Sequence, residues 1–288
     1  MSALERGSSA VEHPLVAGRP PHWATEWGED RFGVFVTLRV GGAGQRLRWV
    51  PPGRFRMGSP EDEPGRWTDE LPHVVEITRG YWLGDTPCTQ ALWHALMEGN
   101  PSRFPDDDRR PVESVSWDDV QGFLARLRES LGDSEFRLPT EAEWERACRA
   151  GTSGATFAGD VGPEADEALT VLDRIGWYKP NSQGQPQPVA LKEPNALGLH
   201  DMLGNVHEWC EDLVDFDGEA DQYGMQAYVE GARDPVSRQG SVRVARGGSW
   251  NSVARGLRAA FRGADAPDVR FENLGFRLAR GPLVPGGD

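Results

Sequence analysis

Helical patterning is confined to the first half of this 288-residue chain. Beyond Gly151 the sequence breaks into short strand-like runs separated by Gly, Pro, Asn and Asp clusters. That division argues for a loop-rich fold held by aromatic anchors rather than a helical bundle. The composition agrees, with Gly 35, Pro 22 and Trp 11. Loop-rich folds must satisfy many buried backbone groups with side chains, so the arginines and carboxylates between these runs become the residues to watch.

Three helices are legible. The first spans residues 89–97, with Thr89 as N-cap. The second spans 116–131, where Ser116 and Asp119 stand at the N-cap and N3 positions of a capping box. There Trp117, Val120, Phe123, Leu124 and Leu127 form one apolar stripe. The third spans 140–150, with Thr140 capped against Glu143, with Trp144, Ala147 and Cys148 facing inward, and with Gly151 as the C′ stop. Ahead of them, residues 32–40 and 45–50 alternate as a hairpin around a turn at 41–44. Residues 1–22 read as a disordered or extended segment, and the acidic stretch 215–240 as a surface insertion.

The net charge of −14 disfavours nucleic acid as a partner, because such binding is driven by neutralising phosphates. No run approaches the ~20 apolar residues of a membrane helix, so no membrane insertion is expected. The three cysteines, Cys88, Cys148 and Cys210, are far apart and form no CxxC. A reducing compartment is the default for such a set. The N-terminus has neither a basic start nor an apolar run, and the expected location is cytoplasmic. The six histidines (His13, His22, His73, His94, His200 and His207) show no metal-ligand spacing.

Several separate stretches carry a family resemblance. They are Arg54-Phe-Arg-Met-Gly-Ser59, Pro72-His-Val-Val-Glu-Ile77, Pro111-Val-Glu-Ser-Val-Ser-Trp117 and Phe136-Arg-Leu-Pro-Thr-Glu-Ala-Glu-Trp-Glu145. Gly204-Asn-Val-His-Glu-Trp209, Arg243-Val-Ala-Arg-Gly-Gly-Ser-Trp250, Arg258-Ala-Ala-Phe-Arg262 and Asn273-Leu-Gly-Phe-Arg277 complete the set. In order and number they resemble the formylglycine-generating enzyme (FGE-sulfatase) family. The resemblance implies an α+β, C-type-lectin-like fold with little regular secondary structure. It implies a single domain over residues 23–280 and a short tail at 281–288. Trp117, Trp144, Trp209 and Trp250 then read as core anchors. Arg137, Arg246, Arg258, Arg262 and Arg277 read as braces bonding carboxylates or backbone carbonyls.

The enzymes of that family carry two cysteines between the Arg-Gly-Gly-Ser and Arg-x-Ala-x-Arg motifs. Here that interval is Asn251-Ser-Val-Ala-Arg-Gly-Leu257 and holds none. A copper-thiolate or dithiol mechanism needs paired soft sulfur ligands, so the expectation is a protein that is not an enzyme. The buried-type settings of Cys148 and Cys210 suit small hydrophobes, and Cys88 stands without a neighbouring base. One of the family's calcium loops has a counterpart in Asp201-Met-Leu-Gly-Asn-Val-His-Glu208. By that resemblance the Asp201 and Glu208 carboxylates and the Gly204 and Val206 carbonyls would hold a structural Ca²⁺, whose hardness suits oxygen ligands. The family's other calcium loop falls in an insertion that this chain lacks between Tyr178 and Pro194. His207 stands where the family usually has Trp and reads as a packing residue.

One branch of the family answers why the scaffold would persist without the chemistry. The tail resembles the variable proteins of diversity-generating retroelements, whose C-terminal segment is rewritten at template adenines to diversify a binding surface. Residues 243–280 would be the variable region. Asn251, Ser252, Val253, Gly256, Phe261, Gly263, Ala264, Asp265, Ala266, Val269, Phe271 and Asn273 are all reachable from an AAC codon by adenine rewriting, whereas Glu272 would be fixed. These are the expected ligand-binding positions, facing solvent above Arg246, Arg258, Arg262 and Arg277. The expected partner is a macromolecule, most simply a protein. The other readings are a divergent metal- or oxygen-dependent oxidase of the formylglycine-generating or sulfoxide synthase type, and an accessory domain that binds a partner through an undiversified surface.

Overall fold

The computed structural model describes residue 15 and residues 20–161, 171–215 and 228–283. The expectations for residues 1–14, 16–19 and 284–288, and for 216–227 in the acidic stretch, lie outside the described residues.

The architecture is mixed α+β. A six-stranded sheet runs in the order β1 (Glu26–Asp30), β2 (Gly33–Val40), β3 (Ala43–Val50), β6 (Tyr81–Gly84), β13 (Ala279–Arg280), β7 (Phe136–Arg137). A four-stranded sheet runs β11 (Arg262–Asp265), β10 (Val242–Arg246), β8 (His207–Val214), β12 (Leu274–Phe276). A three-stranded sheet joins β4 (Gly53–Met57), β5 (His73–Ile77) and β9 (Ala232–Arg233). The expected hairpin is β2–β3, with a turn tighter than the sequence suggested. Val40 already pairs with Ala43, leaving only Gly41 and Gly42 in the turn, at φ 55° and 89°. Both lie where residues with a Cβ are disfavoured, which is the requirement of a two-residue hairpin loop.

The helices start where their caps dictate. Thr89 accepts from the Leu92 amide and opens α1, Gln90–His94, a shorter helix than expected. Ser116 and Asp119 form a reciprocal capping box at the head of α2, Trp117–Leu131. Thr140 and Glu143 do the same for α3, Glu141–Arg149. The left-handed stop of α3 is Ala150, at φ 48°, one residue ahead of the glycine expected to supply it. Helix also returns at residues 171–175, with Leu172 and Ile175 buried.

Two apolar cores lie on opposite sides of shared strands. Tyr81 and Leu83 enter one core with Trp144, Tyr178, Met202 and Leu257, while Trp82 between them enters the other. Along β8, Trp209 and Cys210 divide the same way, as do Val244 and Ala245 along β10. This is the period-2 alternation of a strand covered on both faces. The second core takes the α2 stripe, where Phe123 stacks on Trp93 at 5.4 Å. Trp144, Trp209 and Trp250 are buried anchors. Trp117 is half-buried, packing against the edge of the second core with the Arg243 guanidinium 3.7 Å from its ring centroid. Among the described residues, no helix is long and apolar enough to cross a membrane.

Candidate functional site: a cleft walled by the C-terminal segment

Strand β10 ends at Arg246, and the chain then turns sharply through Gly247 and Gly248, at φ 97° and 72°. A Cβ on Gly248 would meet the Gly256 carbonyl oxygen at 2.6 Å, so this close approach requires glycine. The segment from Ser249 to Leu274 then loops out and returns, and buried arginines fix it from below.

Arg246 is wholly buried and donates to the carbonyls of Ala259 (2.8 Å), Ala260 (2.9 Å) and Phe261 (2.5 Å) while pairing with Glu145. Arg258 is gripped by Glu63 at 2.8 Å and by both oxygens of Glu70 at 2.5 and 2.6 Å. Arg262 bonds both oxygens of Glu141, at 2.7 and 2.8 Å. Arg277 bonds both oxygens of Glu208, at 2.7 and 2.9 Å, and the carbonyls of Gly84 and His200. Arg137 makes the same bidentate contact with Glu143, at 2.6 and 2.7 Å. Planar bidentate pairs fix orientation as well as charge. The backbone of the C-terminal segment is thus specified by buried side chains beneath it, of which only Arg262 also borders the cleft.

Above this frame lies a cleft of about 860 Å³. Asn251, Phe261, Gly263, Ala264, Asp265, Phe271 and Asn273 line it, all of them expected ligand-binding positions. Ser252, Val253, Ala266 and Val269 do not line it: Val253 is exposed, Ser252 and Ala266 are half-buried, and Val269 packs against the second core. Gly256 corrects the expectation of a solvent-facing position. It is buried, in a short 3₁₀ turn (Ala254–Gly256), where the tight bend through Gly248 comes up against its carbonyl.

Several lining residues escaped the sequence reading: Trp67, Asp69, Arg103, Ser114, His207, Arg270 and Glu272. Trp67 and Asp69 come from the loop between β4 and β5, and Arg103 and Ser114 from the segment between α1 and α2. No local pattern marks such residues; the β4–β5 loop is brought to the tail by the pairing of Glu63 and Glu70 with Arg258, which no stretch of sequence reveals. His207, expected as a packing residue, also lines the cleft, its ring 6.4 Å from that of Phe261. Its enclosure pushes the imidazole down to about 4. Burial pushes Asp69 up to about 6, against the opposing pull of Arg262, and burial also raises Asp265.

The expected calcium loop has both committed and uncommitted donors. Asp201 is buried, at φ 55°, with Oδ2 accepting from the Ala190 amide at 2.8 Å and Oδ1 without a hydrogen-bond partner. A buried carboxylate oxygen left without a donor is costly, and a cation bound there would relieve it. Glu208 also accepts from the Trp144 indole at 2.7 Å besides its grip on Arg277, so it would be shared with any cation. Gly204, at φ 100°, brings the loop so close to Trp177 that a Cβ would stand 2.3 Å from its carbonyl oxygen. The donor set of two carboxylates and loop carbonyls fits a hard cation such as Ca²⁺. Among the described residues, no group of three or more His, Cys, Asp or Glu side chains gathers as a metal site. All three cysteines are buried and unpaired. Burial pushes the Cys148 thiol up to about 12 and those of Cys88 and Cys210 well above their ordinary value.

Comparison with known proteins supplies the context. The family model of the sulfatase-modifying factor enzyme 1-like (FGE-sulfatase) domain matches residues 41–282. The chain is 32% identical over 224 residues to the formylglycine-generating enzyme of Thermomonospora curvata, covering 74% of this chain and 66% of that enzyme. It is 33% identical over 260 residues to the serine/threonine-protein kinase pkn1 of Chlamydia pneumoniae, covering 80% of this chain and 37% of that protein. Among solved structures, Treponema denticola variable protein 1 superposes with a TM-score of 0.71 at 30% identity, covering 85% of this chain and 98% of that one. PvdO from Pseudomonas aeruginosa superposes with a TM-score of 0.66 at 25% identity, covering 89% of this chain and 98% of that one.

Proposed function

The chain belongs to the FGE-sulfatase family, and within it we propose that this protein is a ligand-binding member that uses the cleft walled by residues 251–274 as a display surface. The observation that carries this reading is the separation of labour in the tail. Arg246, Arg258, Arg262 and Arg277 hold its backbone from inside, while Asn251, Phe261, Asp265, Phe271 and Asn273 face a cleft of about 860 Å³. A surface built this way can change its side chains without rebuilding its support. Aromatic residues set among small ones supply contact area at low entropic cost. The likeness to a variable protein of Treponema denticola supports a diversified surface of the kind made by diversity-generating retroelements; the ligand we propose for it is a protein.

The experiment is genomic and then biochemical. A near-copy of the coding sequence for residues 251–274, differing at adenines and lying beside a reverse-transcriptase gene, is the expected finding. Natural variants should differ at the cleft-lining positions while keeping the four arginines. A single invariant tail in every isolate, with no template copy, would defeat the reading.

Two further features belong to this proposal. The protein does not convert cysteine to formylglycine, because the interval from Asn251 to Leu257 offers no thiol and the three thiols it has are buried. A structural Ca²⁺ sits at Asp201 and Glu208 with the Gly204 and Val206 carbonyls, where it satisfies the unpartnered Asp201 oxygen.

A further inference from the structure

We infer that the free edge of β4 is a second binding surface, separate from the cleft, which takes an extended acidic segment of a partner protein as an added strand and sets its alternate carboxylates against Arg54 and Arg56.

β4 is an edge strand, paired with β5 alone among the described residues. Successive residues of a strand send their amides and carbonyls to opposite sides, and β5 shows which side is which. The Val74 and Glu76 carbonyls accept from the Gly231 and Asp234 amides, on the β9 side, at 2.9 and 2.8 Å. His73, Val75 and Ile77 therefore face β4, where they stand opposite Met57, Phe55 and Gly53. That leaves the backbone groups of Arg54 and Arg56 turned to the open edge, and no hydrogen bond among the described residues reaches them. An edge of this kind is a template for an incoming strand.

The side chains of the same two residues say what that strand carries. Phe55 packs against the first core and Met57 is buried, so Arg54 and Arg56 stand on the outer face, both exposed. Charge there runs against the composition. The chain carries a net charge of −14, yet on this face three arginines, Arg54, Arg56 and Arg233, stand with one glutamate, Glu76. A single oxygen of Glu76 accepts from Arg54 at 3.1 Å and lies 3.5 Å from Arg233. Arg56 stands opposite Val74, and its guanidinium has no partner among the described residues. Glu230, beside Val74, is occupied by the Val74 amide at 3.0 Å.

Opposite charges directly across a ladder stabilise it, and like charges oppose it. A second copy of β4 is refused on that rule, because antiparallel pairing about Phe55 sets Arg54 of each copy against Arg56 of the other. A strand with a carboxylate at every second residue is accepted on the same rule. Its acidic side chains all fall on the outer face while its backbone bonds the edge.

The test uses the full-length protein and two capped, labelled heptapeptides, Thr-Glu-Val-Glu-Val-Glu-Thr and the same chain with glutamine for glutamate, followed by fluorescence anisotropy. The glutamate peptide should bind at least tenfold more tightly than the glutamine peptide. Methylating the backbone nitrogens of its three glutamates keeps the charge and removes the strand donors, and should weaken binding at least tenfold. Arg54→Glu combined with Arg56→Glu should abolish binding of the glutamate peptide and create binding of its lysine counterpart. Arg56→Gln, the milder change, should weaken the glutamate peptide several-fold. Melting curves establish that both variants fold. Failure of the glutamate peptide to bind, or binding that survives the charge reversal, overturns the inference. Equal affinity for the methylated peptide would leave charge attraction without an added strand and overturn it as well. Self-association in sedimentation that Arg56→Gln relieves would give the edge to a second copy and overturn the partner assigned here.

Discussion

The guanidinium of Arg277 grips both oxygens of the Glu208 carboxylate, at 2.7 and 2.9 Å, and both side chains are withdrawn from water. This contact ties the Gly-Phe-Arg motif of the tail to the loop entering β8, across 69 residues of sequence. It joins the two ends of the frame on which the cleft is built.

Breaking that pair should be expensive. Arg277→Met leaves Glu208 buried with only the Trp144 indole as donor. Removing one partner of a buried pair costs about 3–5 kcal/mol. Urea denaturation of the variant should show that loss, and a loss under about 1 kcal/mol would mean the pair is not what fixes the tail.

Replacing exposed residues of the C-terminal segment, in the cleft or beside it, should be cheap by contrast. Asn251→Ser, Val253→Asn and Phe271→Tyr should each change stability by no more than ~0.5 kcal/mol, as surface substitutions away from special features do. The triple variant should melt within a few degrees of the parent. Unfolding of the triple variant would make this segment an ordinary structural tail.

The pH dependence of stability should carry the mark of Asp69. Its folded value is raised to about 6 from an ordinary 3.8, chiefly by burial. The native state therefore holds a proton that the unfolded state has already released between about pH 4 and 6. Stability from this group is present below about pH 4 and is lost as pH rises through about 6, then levels off. Two units correspond to a ceiling of ~3 kcal/mol, lowered by solvent that reaches the cleft. Asp69→Asn should flatten the slope in that window, and an unchanged slope would dissociate Asp69 from it.

Chelation should lower the melting temperature if Ca²⁺ occupies the Asp201 loop, since a ligand bound only by the native state stabilises it. Asp201→Ala should abolish the response to chelator. A parent protein indifferent to both chelator and added calcium would remove the cation from the proposal.

Incubation of the purified protein with copper and a cysteine peptide of the sulfatase type should yield no aldehyde. Turnover at any rate above the peptide alone would return the protein to the enzymatic members of the family.

The sequence alone determined what depends on neighbours three or four residues away, or on motifs repeated across a family. Ser116–Asp119 and Thr140–Glu143 announced the starts of α2 and α3 because a capping box is closed within one turn. Gly41-Gly42 announced a hairpin because backbone conformation is a local property. The arginine-rich motifs announced a braced tail, since each motif places its arginine in register with the family frame. The tertiary structure decided the rest, because the partners lie far apart along the chain. Arg258 meets Glu63 across 195 residues, and only that meeting brings Trp67 and Asp69 to the rim of the cleft. Gly256 looked like a surface position until the bend at Gly248 was seen pressed against it. Asp265 was read as one more changeable residue, and its unmatched charge became visible only when Arg243, directly opposite, proved to face away. Which charges remain unpaired is a property of the assembled surface, and no short stretch of sequence contains it.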